Sequence, residues 1–286
     1  MPPRDLPATA AGAPLLRSQL ASAVRALGVR EGAVLMVHAS ISRLGWVVGG
    51  SQTVVQALLD AVGPEGTLLA YAGWEDNPYH LAEWPAEWQE AYRQEMPGFD
   101  PALAEARHVN GRLPERIRTW PGAHRSDHPE ANFVALGACA QEVVRGQARD
   151  DPYGPDSPLG RLVAAEGQLL LLGAPLSAAT LLHHAESLVD LPGKRRVRYE
   201  MPIRHGDEVV WEQFTDLDTG AGDSAGGGAL PYDDVLHGQP PSTFVERVFR
   251  EAGLGRAGKV GAADSYLFFA REFVDFAVGW LTANFR

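Results

Sequence analysis

Gln168-Leu-Leu-Leu-Leu172-Gly-Ala-Pro175-Leu-Ser177-Ala-Ala-Thr180-Leu-Leu-His183-His184-Ala-Glu186 passes from an uninterrupted apolar run, through a Gly/Pro turn, into a helical pattern predicted over 178–190. An apolar strand with no polar alternation needs cover on both faces, as in a sheet layered between helices. The same grammar recurs upstream. An amphipathic helix around 18–27 carries Leu16, Leu20, Val24 and Leu27 on one side and precedes a buried strand over 33–38. Ser51 has N-cap chemistry for a helix bearing Val54, Val55, Leu58, Leu59 and Val62, which stops at Gly63-Pro64 before a strand over 67–71. A strand over 132–136 and a short helix opened by Ser157-Pro158 complete the middle. The last third reads as a hairpin (196–201 with 208–214), a helix over 243–252, a strand near 265–269 and a closing helix over 271–281. The expected fold is α/β: a three-layer α/β/α sandwich with a mixed, largely parallel sheet. A single domain spans residues 1–286 in this reading. The Trp-, Pro- and acid-rich stretch 73–121 is an insertion beside the cleft, and 219–230 is a second interruption.

Composition narrows function before any motif does. The chain has 286 residues and a net charge of -11, so it lacks the positive field that collects nucleic-acid phosphates and favours cationic ligands instead. Cys139 is the only cysteine, which removes internal disulfides and Cys-rich metal sites. The most apolar stretch, 169–182, is too short and too rich in Gly, Pro and Ser to span a bilayer, and the N-terminus has no signal-peptide pattern. The expectation is a cytoplasmic protein, a monomer or a homodimer, with no metal.

Ligands of open α/β sheets bind beyond the carboxyl ends of strands, where the first turns of the next helix face the crevice. That places His183 and Glu186, three apart and on one helical face, at the crevice, with His184 turned roughly 100° away. An imidazole titrating near neutrality suits removal of a proton from an attacking nucleophile when a carboxylate orients it. Asp216 and Asp218, where the hairpin ends, either cap a turn or fix the tautomer of His183 from across the cleft. Glu75, Asp76 and Tyr79 join acids to an aromatic beyond the strand at 67–71, a surface suited to a polycationic, hydroxylated ligand. His124, Asp127 and His128 lack a further ligand group at metal-site spacing. Gly222-Asp-Ser224-Ala-Gly226, with Asp233 and His237 downstream, matches a serine-hydrolase pattern but is followed by a Gly run rather than a helix. Arg250-Glu-Ala-Gly253-Leu-Gly255 resembles a pyrophosphate loop but sits at a helix end, where Gly253 serves as a C′ cap. The residues alone leave open an enzyme using His183 as a base, a hydrolase using Ser224, and a non-catalytic binder of cations.

Taken in order, Val34-Leu-Met-Val-His38-Ala-Ser40 with Gly49-Gly50, Val62-Gly-Pro-Glu-Gly-Thr67, Arg125-Ser126-Asp-His128-Pro129, Ser157-Pro-Leu159, Leu170-Leu-Leu-Gly173-Ala-Pro175, Thr180-Leu-Leu-His183 through Glu186, and Asp216-Leu-Asp218 resemble the aminoglycoside N3-acetyltransferases, an antibiotic acetyltransferase family distinct from the Gcn5-related fold. The likeness runs over nearly the whole chain and is greatest to the longer actinomycete-type members. It implies transfer of the acetyl group of acetyl-CoA to the 3-amino group of the 2-deoxystreptamine ring of aminoglycosides, directly in a ternary complex. It places the catalytic base at His183, the orienting carboxylate at Asp216, and drug-binding groups at Glu75, Asp76, Tyr79, Glu186 and Asp218. It places the coenzyme along His38, Ser40, Ser42, Gly49, Gly50, Arg125 and Ser126.

Overall fold

The computed structural model describes residues 13–190, 192, 194–218 and 252–285. The predicted helix over 243–252, the Gly-rich stretch 219–230, the Ser224, Asp233 and His237 set and Arg250 lie wholly or mainly outside them. Helices α1 (Arg17–Leu27), α2 (Gly50–Val62), α3 (Ala86–Glu95), α4 (Arg112–Arg118), α5 (Ala140–Val144), α6 (Pro158–Ala164), α7 (Leu181–Leu188) and α8 (Ala270–Asn284) surround the strands. The strands are β1 (Val34–Ala39), β2 (Thr67–Tyr71), β3 (His124–Arg125), β4 (Phe133–Gly137), β5 (Gln168–Leu172), β6 (Arg196–His205), β7 (Glu208–Leu217), β8 (Arg256–Val260) and β9 (Ala263–Phe269).

Seven strands form one sheet in the order β3-β4-β2-β1-β5-β9-β8, while β6 and β7 form a separate hairpin. Among the described strands, only β1 with β2 and β1 with β5 pair in parallel. The pairings β2/β4, β3/β4, β5/β9 and β8/β9 are antiparallel. The sheet is mixed, as expected, but the reading of it as largely parallel is corrected. A continuous apolar run reports burial on both faces, and antiparallel β4, buried from Phe133 to Leu136, shares that pattern with parallel β5, so it carries no information on strand direction.

Alternate residues face opposite sides, as the two-residue period of a strand requires. Met36, Leu69, Phe133, Leu169 and Leu171 pack with residues of α5, α6, α7 and α8. Leu35, Val37, Leu68, Val134, Leu170 and Leu172 pack with residues of α1, α2 and α4. Helix ends follow local chemistry. Ser157 caps α6 by accepting from Gly160 N at 3.1 Å, with Pro158 in the first turn. Ser51, in contrast, is not the cap of α2. Gly49 holds that position at φ 79°, where an added Cβ would fall 2.4 Å from Thr53 Oγ1. The helix predicted from Ala178 begins later, because Leu176–Ala178 form a tight 3-10 turn and Thr180 caps α7. His183 therefore sits in the first turn of α7.

The excursion 73–121 contains α3 and α4 and is tied back to the sheet by Arg125. Its guanidinium donates to Gly73 O at 2.6 Å, to Asn132 Oδ1 at 2.8 Å, to Pro101 O at 3.3 Å and to Ala104 O, and lies over the Phe99 ring. Burial holds its pKa down at about 10. Phe99 in turn clamps the hairpin: its N–H donates to Pro202 O at 2.7 Å and its carbonyl accepts from Arg204 N at 3.2 Å. Removing a charged donor that serves several half-buried carbonyls leaves them unsatisfied, so Arg125→Met should lower unfolding free energy by about 2–4 kcal/mol. Urea denaturation checks this; unchanged stability would mean that the guanidinium is not the anchor.

Candidate active site

Parallel pairing of β1 with β5 sets His38 opposite Leu171 and Ala39 opposite Leu172. Both chains then turn away from the sheet, and a cavity of about 770 Å³ opens beyond their carboxyl ends. His38, Ser40, Ser42 and Gly50 line it from β1, the following turn and the start of α2. Tyr71 borders it from β2, Arg112 from the excursion, and Thr180 and His183 from α7.

His183 Nδ1 and Glu186 Oε2 are 2.7 Å apart, the carboxylate almost fully enclosed and the imidazole 30% exposed. With Nδ1 held by Glu186, Nε2 is the atom left to exchange a proton. Burial pulls the His183 pKa down, but the charge and hydrogen bond of Glu186, aided by Asp216, outweigh it and the net shift is upward. His184 points the other way, its Nδ1 2.6 Å from Tyr153 O in a buried site.

A second group lies beside this dyad. The charges of Asp216 and Glu130 are felt by the phenols of Tyr71, Tyr79, Tyr153 and Tyr199, all of which are raised chiefly by burial. Tyr79 packs on Tyr199 with ring centroids 4.6 Å apart, and Tyr153 packs on His183 at 5.2 Å. Glu130 pairs with Arg107 at 3.1 Å. Asp216, 4% exposed, accepts from Leu217 N at 2.6 Å. Burial pushes its pKa up to about 8, with the neighbouring Glu130 adding to the rise and Leu217 N–H and His183 opposing it.

This geometry, an imidazole and carboxylate at a cavity with an acidic, phenolic flank, coincides with a family match over residues 36–282, described as aminoglycoside 3-N-acetyltransferase. The chain belongs to that family. Aminoglycoside N(3)-acetyltransferase VIII of Streptomyces fradiae is 50% identical over 276 residues, 96% of this chain and 94% of that protein. The crystal structure of aminoglycoside acetyltransferase AAC(3)-Xa is 47% identical with a TM-score of 0.89, covering 96% of this chain and 94% of that one. A structure of AAC-IIIb in a binary complex with CoASH is 40% identical with a TM-score of 0.84, covering 96% and 98%.

In this acetyltransferase the carboxylate in contact with His183 is a different one from that which the resemblance implies. Asp216 makes no hydrogen bond to His183; Glu186, expected at the drug, holds the ring instead. The reason is local, since residues three apart in one helical turn meet without help from tertiary structure. Arg125 and Ser126 are not at the cavity. Arg125 is the anchor described above, and Ser126 Oγ, buried, accepts from Phe133 N at 2.9 Å. Gly49 holds the N-cap position of α2, next to the cavity-lining Gly50. Glu75 is engaged by His108, accepting from its N–H at 2.6 Å and meeting its Nδ1 at 2.8 Å, and Asp76 beside it is exposed. Asp218 pairs with Arg195 at 3.0 Å. His128 is buried against Phe214 and accepts from Ala131 N, and Cys139 contacts Thr67 Oγ1 at 3.1 Å.

Sequence reading does not single out Tyr71, Glu130, Tyr153 or Tyr199, which the structure gathers at or beside the His183–Glu186 pair. Tyr71 had a readable signal, the last position of a parallel strand next to β1; the others converge from separate loops and the hairpin.

An acid with a folded pKa raised to about 8 stays protonated in the native state while the unfolded carboxyl ionises near 4, so stability should fall as pH rises between those values and level off above the higher one. Asp216→Asn should flatten that dependence and raise Tm at pH 8. Parallel melting curves of variant and parent from pH 5 to 9 are the check; parallel slopes would place Asp216 in a solvated site.

Proposed function

We propose that this chain transfers the acetyl group of acetyl-CoA to the 3-amino group of the 2-deoxystreptamine ring of aminoglycosides, conferring resistance. Transfer is direct, within a ternary complex, in the cytoplasm, and the chain acts as one domain with 73–121 as its insertion. The observation that carries this reading is the His183–Glu186 pair, 2.7 Å apart, in the first turn of α7 at the edge of a cavity between the ends of β1 and β5. The named relatives supply the reaction class, and the CoASH complex of AAC-IIIb supplies the co-substrate.

The residues fit the co-substrate. Ser40 and Ser42 offer hydroxyl groups, Gly50 and Ser51 present the first turn of a 13-residue helix, and Arg112 adds a cation, a combination that suits phosphates. On the other side, ionised Asp216 and the faces of Tyr79 and Tyr199 suit a polycationic sugar, whose ammonium groups favour the charged form of a carboxyl that is neutral without them. Asp76 extends that acidic field outward, while Glu75 and Asp218 already carry cationic partners. Neutral His183 takes a proton from the attacking amine through Nε2, and Glu186 holds the ring and stabilises its cation. The same proton is then delivered to the departing sulfur. Cys139 has no part in this sequence of steps, because it packs against Thr67 away from the cavity-lining residues.

The direct test is release of free thiol from acetyl-CoA with a panel of aminoglycosides, one lacking a free 3-amino group. Release with the others and none with that compound is expected; release with it would refute the regiochemistry. His183→Ala should lower kcat by roughly 10²–10⁴-fold. Because Glu186 raises the His183 pKa, the rising limb of the pH–rate profile should lie above the ordinary histidine range, and Glu186→Gln should move it to lower pH while reducing kcat. An unmoved limb would assign the base elsewhere.

A further inference from the structure

One imidazole at the cavity has no role in the scheme above. His38 closes β1, lines the same cavity as His183, and its Nε2 is buried without a hydrogen-bond partner. Leaving a polar nitrogen unpaired inside a protein is unfavourable, and an orphan at a cavity suits a partner that a ligand brings. The surroundings decide its charge state. Burial, and then the neighbouring charge of His183, press its pKa down to about 4, so the ring is neutral throughout the working range. It therefore cannot compete with His183 for the amine proton, and it can supply one N–H.

The reaction needs one group of that kind. As the amine nitrogen bonds to the thioester carbon, the carbonyl π pair moves onto oxygen, and a donor aimed there lowers the barrier. When the C–S bond breaks, its electron pair leaves on sulfur and the proton held by His183 follows. A neutral donor suits this site better than a cation, because His183 is itself positive while the charge on oxygen develops, and two adjacent imidazolium rings would repel.

We propose that His38, in the tautomer protonated on Nε2, donates a hydrogen bond to the carbonyl oxygen of the acetyl thioester, acting as the electrophilic partner of the His183–Glu186 base. The role rests on the proposed use of acetyl-CoA. His38 gains and loses no proton in the cycle; it polarises the bond under attack.

The test uses the full-length protein with acetyl-CoA carrying ¹³C at the carbonyl, without any amine, and reads the C=O stretch by difference infrared spectroscopy. Bound to the parent enzyme, the stretch should fall to lower frequency than in free acetyl-CoA. In His38→Leu it should return to the free value, with coenzyme Kd changed less than about threefold and kcat reduced on the order of 10²-fold. His38→Gln, whose amide nitrogen can occupy the Nε2 position, should recover part of the shift and of kcat, whereas His38→Asn should not. An unshifted stretch in the parent, an equal shift in His38→Leu, or rescue by Asn alone would overturn the assignment. Failure of the parent to bind acetyl-CoA at all would overturn the proposed function itself, which keeps the two outcomes apart. Circular dichroism of each variant, with Gln as the better-tolerated replacement, separates loss of fold from loss of polarisation.

Discussion

Parallel register between β1 and β5 is the constraint from which the site follows. Because the two central strands run in the same direction, both deliver their following loops to one edge of the sheet, and the chain leaving each strand must open a crevice there. His38 closes one strand, and the turn after Leu172 leads directly to Thr180 and His183. Tyr71 reaches the same edge from β2, the other parallel neighbour of β1. The antiparallel strands β4 and β9 on either side extend the sheet without adding to this edge in the same sense. Their contribution is to pair the outer edges of β2 and β5, while the helices on both faces leave Leu35, Met36, Leu169 and Leu170 fully enclosed.

The site is an arrangement of burial against charge. Two histidines border one cavity and are driven in opposite directions: His183 upward because Glu186 overcomes its burial, His38 downward because no carboxylate does. The same side chain is thus held at two different proton affinities beside one cavity, and the contact with Glu186 is the main difference between them. The acidic flank obeys the same logic. Glu130 is paired with Arg107, whereas burial pushes Asp216, which accepts from Leu217 N, up to about 8, so a nearby cation favours its ionised form.

The excursion 73–121 and the hairpin work as a joined wall rather than as separate decorations. Arg125 holds Gly73, Pro101 and Ala104 to the sheet, Phe99 pairs with β6, and Arg93 reaches Glu200 at 2.7 Å. The basic run at the foot of the hairpin is used inward as well. Lys194 satisfies the carbonyls of Ser187 and Val189 at the end of α7, and Arg196 meets Asp151. Charges that look solvent-facing in a linear reading thereby hold the hairpin against the helix that carries the dyad.

What could be read from the sequence was what depends on neighbours a few residues apart. Apolar period locates β1, β2, β5 and α1, Ser157-Pro158 locates α6, and the i, i+3 spacing of His183 and Glu186 puts them on one helical face. Tertiary structure alone decided strand direction at the sheet edges, because burial on both faces erases the signal. It also decided that Arg125 and Ser126 are engaged by the scaffold, that Asp216 stays out of hydrogen-bond reach of His183, and that Glu130, Tyr71, Tyr153 and Tyr199 gather beside that imidazole. These depend on distances between residues remote in the chain, and on how completely each polar group is withdrawn from water, quantities that a one-dimensional pattern does not contain.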